Sequence, residues 1–427
     1  MPEYLPAEPY KGTRDLLPAE TSVRAQVFGL LHDVIERYGY ARYDGPSLEP
    51  VEFYARESDQ QLFTLTDKGG NKLALRPELT PSMTRAVVAG AKSLQFPVRW
   101  YSDANCFRYE RPQRGRMREH RQLDVEIFGA AGVAREIEIF ELIHDLLAAL
   151  GATKDLFTIR VNDRNLLAAA LTDIVGISLP HLPLVLALID RWEVTEPEKI
   201  AQAAEEIGLA DKQFEKLGET LTAGPALLDE LPDELKAMST VVKVLDTGLV
   251  RYDPLIVRGL PYYTSTVFEV FDTSPENRRA LLGGGAFDTL ANLFGDQPIP
   301  GIGFALGDVT LMDFLRTHDL LPQPRAEVDV VVVPVNEELA DAARTVARKL
   351  RQAGLRTSTP LEPRKLGKEL TRAEKAGARA VVIVGQEDWD AGTVTIRSSL
   401  THEQRQVAVD AVVAAVKALV IGSPTEA

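Results

Sequence analysis

The chain has 427 residues, 45% apolar and 26% charged, a soluble globular balance too long for one ordinary core, so roughly two to three domains are expected. A net charge of −14 argues against general electrostatic coating of nucleic acid, and no run of about 18 apolar residues is present to cross a membrane. The single cysteine, Cys106, excludes an internal disulfide, and with six scattered histidines it offers no Cys/His ligand spacing, so no structural zinc is expected. The opening MPEYLPAEPYKGTRDLLP lacks the basic and then apolar blocks of a secretory leader, which predicts a cytoplasmic protein. The charge deficit is confined to the first 325 residues, with 34 basic and 48 acidic, whereas 14 of each follow from Ala326 onward. The C-terminal part is therefore the less repulsive surface for a phosphate backbone.

In chain order, Lys11-Gly12-Thr13-Arg14-Asp15 precedes an amphipathic run over 22–38 that reads as a helix ending at Gly39, followed by a strand at 41–43 and the turn Gly45-Pro46-Ser47. Residues 63–67 and 72–75 alternate around Gly69-Gly70 as a hairpin. In Leu75-Arg76-Pro77-Glu78-Leu79-Thr80 the proline keeps the backbone before it extended, which places Glu78 and Thr80 at a strand end or helix entry. A carboxylate and a hydroxyl at that spacing suit an ammonium group; a helix cap is the plainer alternative.

The densest signal is CFRYERPQRGRMREHRQLDVEIFG, from Cys106 to Gly129. Arginines on both sides of Gly115 put several guanidinium forks on one tight turn, a geometry matched to phosphate oxygens. The segment then alternates, Leu123, Val125 and Ile127 against Gln122, Asp124 and Glu126, as a strand with one wet face. A hairpin with guanidinium groups at its loop and an amide and a carboxylate on its floor can hold a small polar ligand beside a nucleotide. A solvated basic loop is the plain reading of the same charges.

A helix over about 133–150 stops at Gly151, and 165–245, rich in Leu, Ala, Glu and Lys and broken by proline and glycine, reads as an all-helical insertion. In the stretch from Leu255 to Val270, an Arg258-Gly259 step before an alternating strand places a fixed positive charge where backbone can approach a ligand. Gly283-Gly284-Gly285 can cradle phosphate, but serves equally any backbone crowded by a ligand or strand. Beyond Pro322 a new unit begins, from 326 to 427. Strands at 328–335, 356–359, 380–384 and 393–396 alternate with helices at 337–353, 366–376 and 406–419, which predicts a small α/β domain with a mixed sheet. Arg364, Lys365 and Lys368 form a basic helix entry.

Several of these strings resemble one family. FRYERPQ with the following GR, Gln and Glu-x-Phe-Gly is similar to motif 2 of class II aminoacyl-tRNA synthetases in its histidyl-tRNA synthetase form. KGTRDLLP resembles that family's entry to the dimer element, LRPELT its LRPEGT, RGLPYYTSTVFE its RGLDYYxxTVFE, and residues 326–427 its anticodon-binding domain. The resemblance implies an α+β fold: a class II antiparallel sheet flanked by helices over 1–322, a helical insertion, and an anticodon-binding α/β domain. It implies ATP with Mg2+, L-histidine and histidine tRNA as partners, with no membrane, and a homodimer. By position it assigns Arg108 and Arg258 to the α-phosphate as catalytic charges, and Arg108, Glu110 and Arg116 to ATP. Histidine would meet Glu78, Thr80, Gln122, Glu126 and Tyr263, and tRNA would meet Arg364, Lys365 and Lys368. No protein ligand to a metal is assigned. Four positions depart from the family: Leu79 for Gly, Pro261 for Asp, Ala286 for Arg, and Thr310 for the ATP-binding Arg of motif 3. Arg121 also stands where an aromatic or His is common. Two rivals follow, a histidine-binding regulatory paralogue of ATP phosphoribosyltransferase without aminoacylation, and a histidine-activating enzyme with another acceptor.

Overall fold

Residues 7–54, 61–258, 262–362 and 365–421 are described by the structure, a computed structural model. The chain divides into two units, one made of Met1–Asp15 and Arg24–Pro322 and the other of Leu16–Val23 and Gln323–Ala427. The first helix, α1 (Pro18–Arg37), ends before Gly39, whose φ of 82° only glycine adopts without strain. There follow β1 (Ala41–Arg42), β2 (Leu48–Pro50), β3 (Thr64–Thr66), β4 (Lys72–Leu75), α2 (Thr80–Gly90), β5 (Val98–Phe107), β6 (Glu119–Phe128), α3 (Val133–Ala149) and β7 (Phe157–Asp163). The segment expected as an insertion is helical: α4 (Arg164–Ala169), α5 (Leu182–Ile189), α6 (Pro197–Glu206), α7 (Asp211–Thr222), α8 (Asp233–Met238) and α9 (Thr240–Leu245), with short π and 3-10 turns between them. Its α5 to α7 part closes around a core of Leu171, Val185, Leu188, Ile200, Leu217 and Leu221, whereas Val241 and Val244 of α9 enter the principal core. Then come β8 (Arg251–Tyr252), β9 (Thr266–Asp272), β10 (Leu282–Ala286), β11 (Gly301–Gly307) and α10 (Asp308–Thr317).

Eight strands form the main sheet in the order β1-β5-β6-β11-β10-β9-β7-β8, antiparallel throughout its centre with a parallel strand added at each edge. Leu123, Val125 and Ile127 of β6 enter the principal core with Val27 and Leu31 of α1 and Ile139, Phe140 and Ile143 of α3. The opposite face of β6 is not wet as the alternation suggested. Gln122, Asp124 and Glu126 are 4%, 1% and 1% exposed, because α2 and the segment around Tyr262 and Tyr263 lie over that side of the sheet. Alternation reports two different faces; it does not say that the polar one meets solvent.

The glycines of β10 are crowded. Its backbone pairs with β9 and β11, so its N–H groups serve the ladder and do not cradle a phosphate. A Cβ on Gly284 would lie 2.1 Å from the Gly303 carbonyl oxygen and 2.6 Å from the Phe268 ring, and one on Gly285 would lie 2.7 Å from the Tyr263 ring.

The second unit holds β12 (Val330–Pro334), α11 (Ala340–Gln352), β13 (Thr357–Ser358), α12 (Leu366–Lys375), β14 (Ala380–Val384), α13 (Gln386–Asp390), β15 (Thr393–Ser398), β16 (Gln404–Ala408) and α14 (Val412–Ile421). Its sheet, β13-β12-β14-β15-β16, is parallel up to β14 and antiparallel beyond it. Val330 and Val332 face one core while Val331 and Val333 face another, as a continuous apolar run requires. The helix expected over 406–419 starts only at Val412, since Gln404–Ala408 instead pairs with β15 as an edge strand. Tertiary pairing overrides local helix propensity there.

Gly284→Ala must displace backbone or the Phe268 ring, and overpacking of this kind costs about 1–3 kcal/mol. Urea unfolding of the variant should give a lower midpoint with an unchanged slope; an unchanged midpoint would show that β10 can move away.

Candidate active site

The site is built from the β5–β6 hairpin, the turn into α2, the segment entering β9, and β10. Strand pairing of β5 and β6 runs from Val98–Phe128 to Phe107–Glu119, leaving 108–118 as the connecting loop. The loop closes on itself through reciprocal backbone bonds between Gln113 and Arg116, 3.0 and 2.9 Å, and turns at Gly115 with φ 72°. Its arginines are held in different ways. Arg108 donates through Nε to the Pro77 carbonyl at 3.0 Å, tying the hairpin to the turn that carries Glu78. Arg116 pairs with Glu110 at 2.5 Å. Arg118 stacks over the Tyr109 ring at 4.1 Å and donates its backbone N–H to the Gly12 carbonyl, so the KGTRD segment is a brace beneath the loop.

Arg258 enters from the other side. Its φ of 52° is a left-handed conformation rare for a side chain with a Cβ, and such strain concentrates at functional positions. Its guanidinium lies 5.6 Å over the Tyr263 ring and 3.5 Å from Glu269 Oε1. It also occupies the space above Gly283, where a Cβ would sit 1.4 Å from Nη1. The glycine is therefore required by the arginine. Arg108, Glu110, Arg116, Gln122, Arg258 and Arg279 all line one cleft of about 1080 Å³.

Beneath that cleft is a buried acidic floor. Glu78 is 4% exposed and accepts a 2.6 Å hydrogen bond from the Tyr262 hydroxyl. Burial, reinforced by the charge of Asp124, raises the pKa of Glu126 well above the usual carboxylate range, and the Thr80 hydroxyl opposes that shift. Its Oε2 has no hydrogen-bond partner among the described residues. Gln122 is fixed from both ends: its Nε2 donates to Asp124 at 2.9 and 3.1 Å, leaving Oε1 to accept from His120 Nε2 at 3.3 Å. Burial, with help from the Arg108 charge, pushes the His120 imidazole down to about 4, so it is neutral at neutral pH and carries its proton on Nε2. Burial pushes the Asp124 carboxyl up to about 7, with Gln122 holding it down and Glu78 holding it up. Asp124 and His120 had no role in the sequence reading. The available signal was that Asp124 shares its strand face with Gln122 and Glu126.

The structure thus brings Arg108, Glu110, Arg116, Gln122 and Arg258 to the cleft, and places Glu78, Thr80, Glu126 and Tyr263 in the buried layer below. Lys365 and Lys368 are exposed at the start of α12 in the other unit, while Arg364 and Pro261 lie outside the described residues. Leu79 needs no glycine, since its φ is −112° and its side chain is fully buried. Arg121 turns away from the ligand face, pairs with Asp103 and lies 5.1 Å over the Phe28 ring. Thr310 donates to the Leu281 carbonyl at 3.0 Å and offers no charge. Ala286 is buried at the end of β10, and the nearby Asp288 takes Arg135 at 2.6 Å.

An antiparallel sheet with a basic β-hairpin loop, a second arginine opposite it and a following strand–helix unit is the catalytic architecture of class II aminoacyl-tRNA synthetases. Residues 12–310 match the histidyl-tRNA synthetase family model, and residues 329–419 match that of the anticodon binding domain. The histidine–tRNA ligase of Leptospira biflexa is 35% identical over 414 residues, covering 94% of this chain and 95% of its own. The chloroplastic/mitochondrial histidine–tRNA ligase of Arabidopsis thaliana is 33% identical over 93% of this chain and 84% of its own. The crystal structure of histidyl-tRNA synthetase from Nostoc sp. PCC 7120 shares the fold with a TM-score of 0.79, at 24% identity over 97% of this chain and 99% of that one. The chain belongs to the histidyl-tRNA synthetase family.

The buried Asp124 generates a pH test. Its folded pKa, raised to about 7, lies above the ordinary value, so the native state holds the proton more tightly than the unfolded chain. Stability contributed by this group is then fully present below pH 4 and is lost as pH rises toward 7. Asp124→Asn removes that loss: melting temperature above pH 7 should rise relative to the parent chain, and the difference should vanish near pH 4. A difference independent of pH would show that Asp124 does not titrate in this window.

Proposed function

We propose that the chain activates histidine with MgATP to histidyl-adenylate and transfers it to the 3' end of histidine tRNA. The observation that carries the reading is the buried Glu126 carboxylate with an unmatched oxygen, beside a cleft walled by guanidinium groups. The carboxylate calls for a ring N–H donor, and an amino acid without one would leave it buried and unpaired, which disfavours the wrong substrate by the cost of an unmet polar group. Glu78 and Thr80 receive the α-ammonium group, Gln122 and Tyr263 complete the pocket, and Glu126 reads the imidazole.

ATP enters as its magnesium complex, the ion being part of the substrate. Arg108, at the hairpin base, and Arg258, opposite it, take the α-phosphate, and Arg116 with its partner Glu110 lies toward the outer phosphates. A histidine carboxylate oxygen forms a bond to the α-phosphorus as the bond to the β-phosphate oxygen breaks, and pyrophosphate leaves with the electron pair. The terminal ribose hydroxyl of tRNA then attacks the acyl carbon and AMP departs. No side chain is needed as a nucleophile: catalysis rests on alignment and on cations placed where phosphoryl charge develops. Lys365 and Lys368 at the entry of α12, with Arg364 preceding them in the sequence, contact the tRNA. The chain works as a cytoplasmic homodimer.

The regulatory, non-aminoacylating alternative is not favoured. The relatives cited above, named histidine–tRNA ligase, align with 93–94% of this chain, a segment matching the anticodon binding domain is present, and Arg108, Arg116 and Arg258 line one cleft.

Histidine-dependent exchange of labelled pyrophosphate into ATP tests the reading. Exchange should be strong in the parent chain and should fall on the order of a hundredfold or more in Arg258→Ala, by analogy with loss of one preorganised donor, while histidine still binds. Histidine binding without any exchange by the parent chain would overturn it.

A further inference from the structure

Arg279, which lies just before β10 and has no place in the assignments above, stands in the cleft against the loop of the β5–β6 hairpin. A Cβ on Gly115 would lie 2.9 Å from Arg279 Cδ and 3.8 Å from its Nε, and 3.4 Å from Thr310 Cγ2. Arg279 and Thr310 thus flank the same point of the loop, and Arg279 lines the cleft together with Arg116. The two guanidinium groups share little negative charge. Glu110 is already paired with Arg116, and among the described residues no carboxylate forms an ion pair with Arg279. Burial, and then the like charge of Arg116, lower the pKa of Arg279, with Glu110 opposing. Two half-buried cations close enough to repel within one cleft are stabilised by an anion that meets both, and a polyphosphate accepts both forks.

The segment that carries Arg279 is held in place. Asp272, at the end of β9, accepts from the Ser274 backbone N–H at 2.7 Å, from Asn277 Nδ2 at 2.7 Å, and lies 2.7 Å from His318 Nε2. Asn277 also donates to Thr317 Oγ1 at 3.1 Å, and its Oδ1 accepts from Arg114 of the hairpin loop at 3.1 Å. The turn therefore packs on α10 and meets the loop, so Arg279 is presented by an anchored element. Its neighbour Arg278 is exposed, whereas Arg279 is half-buried.

We infer that Arg279 is a further triphosphate-binding residue, which with Arg116 holds the outer phosphates of MgATP from the β9–β10 turn, beside the uncharged Thr310. This rests on the synthetase reading for the identity of the nucleotide; the cationic pair itself does not.

Two measurements keep the two claims apart. Calorimetric titration of inorganic pyrophosphate into the unliganded full-length chain, with Arg279→Ala beside the parent, needs no activity. Affinity should fall at least tenfold in the variant while the melting temperature is retained, and equal affinities would overturn the inference whatever the enzyme does. In pyrophosphate exchange, Arg279→Ala should raise KM for ATP about tenfold or more with KM for histidine unchanged, and Arg279→Lys should fall between. Affinity for a non-hydrolysable histidyl-adenylate analogue, which has no outer phosphates, should be unaltered. Adding Thr310→Arg to Arg279→Ala should restore KM for ATP, because a guanidinium returns to the same wall. Equal losses for ATP and for the adenylate analogue would show a merely structural role and contradict the inference. Absence of exchange in the parent chain, with pyrophosphate binding still sensitive to Arg279, would sink the synthetase reading and leave the anion site standing.

Discussion

Negative charge buried without matching cations is the constraint on which the site depends. Glu78, Asp124 and Glu126 lie within one dry layer between the central sheet and the α2 side; of the cations near them, Arg108 and Arg258 line the cleft, and the buried Arg76 donates to the Asn105 and Gly45 carbonyls. Each carboxylate is costly in that position unless it is protonated or hydrogen-bonded. Glu78 has the Tyr262 hydroxyl and Asp124 has the Gln122 amide, while one oxygen of Glu126 has no partner among the described residues. Such a layer is matched by a ligand that brings N–H donors and a positive charge. The same cost explains the tight anchoring around it, since a floor free to relax would admit water and lose its preference.

The scaffold answers this by placing opposite charges on different elements and letting the sheet fix their spacing. β6 carries the acidic floor and is the inner strand of the hairpin whose loop carries the arginines, so amide, carboxylate and guanidinium groups are separated by strand rise alone. β10 is reduced to glycine because Arg258 and Tyr263 must lie directly on it, and Arg258 itself is held at φ 52°. Glycine here makes room for side chains. Asp308, at the start of α10, accepts from Arg14, Arg24 and the Arg121 backbone N–H, binding the N-terminal segment, α1 and β6 to the strand–helix turn that closes the cleft.

Much of this was legible in the sequence where local rules act alone. Alternation marked β6 and both β3 and β4, glycines with positive φ marked the ends of α1 and α3, and the arginine-rich turn marked the hairpin loop whose Arg108 and Arg116 line the cleft. What failed to be read came from packing between distant segments. The polar face of β6 is dry because α2 and Tyr262 cover it, which no pattern within β6 can report. Gln404–Ala408 is a strand because the edge of β15 is available to it. The glycine string left two readings open, a phosphate cradle and a crowded backbone, and only the fold, with Arg258 filling the space above Gly283, selects the second. Arg279 was hidden for the same reason: only the fold brings the β9–β10 turn against Gly115.

The central claim is that Glu126 reads the imidazole ring, and histidine affinity of the full-length chain without ATP measures this most directly. Calorimetric titration of parent and Glu126→Gln with histidine, and of the parent with phenylalanine, is the experiment. The account predicts that Glu126→Gln weakens histidine binding by about ten- to a hundredfold, in line with about 1–3 kcal/mol for an unmet buried group, and that phenylalanine does not bind measurably. Equal histidine affinity in the two proteins, or comparable binding of phenylalanine, would contradict it.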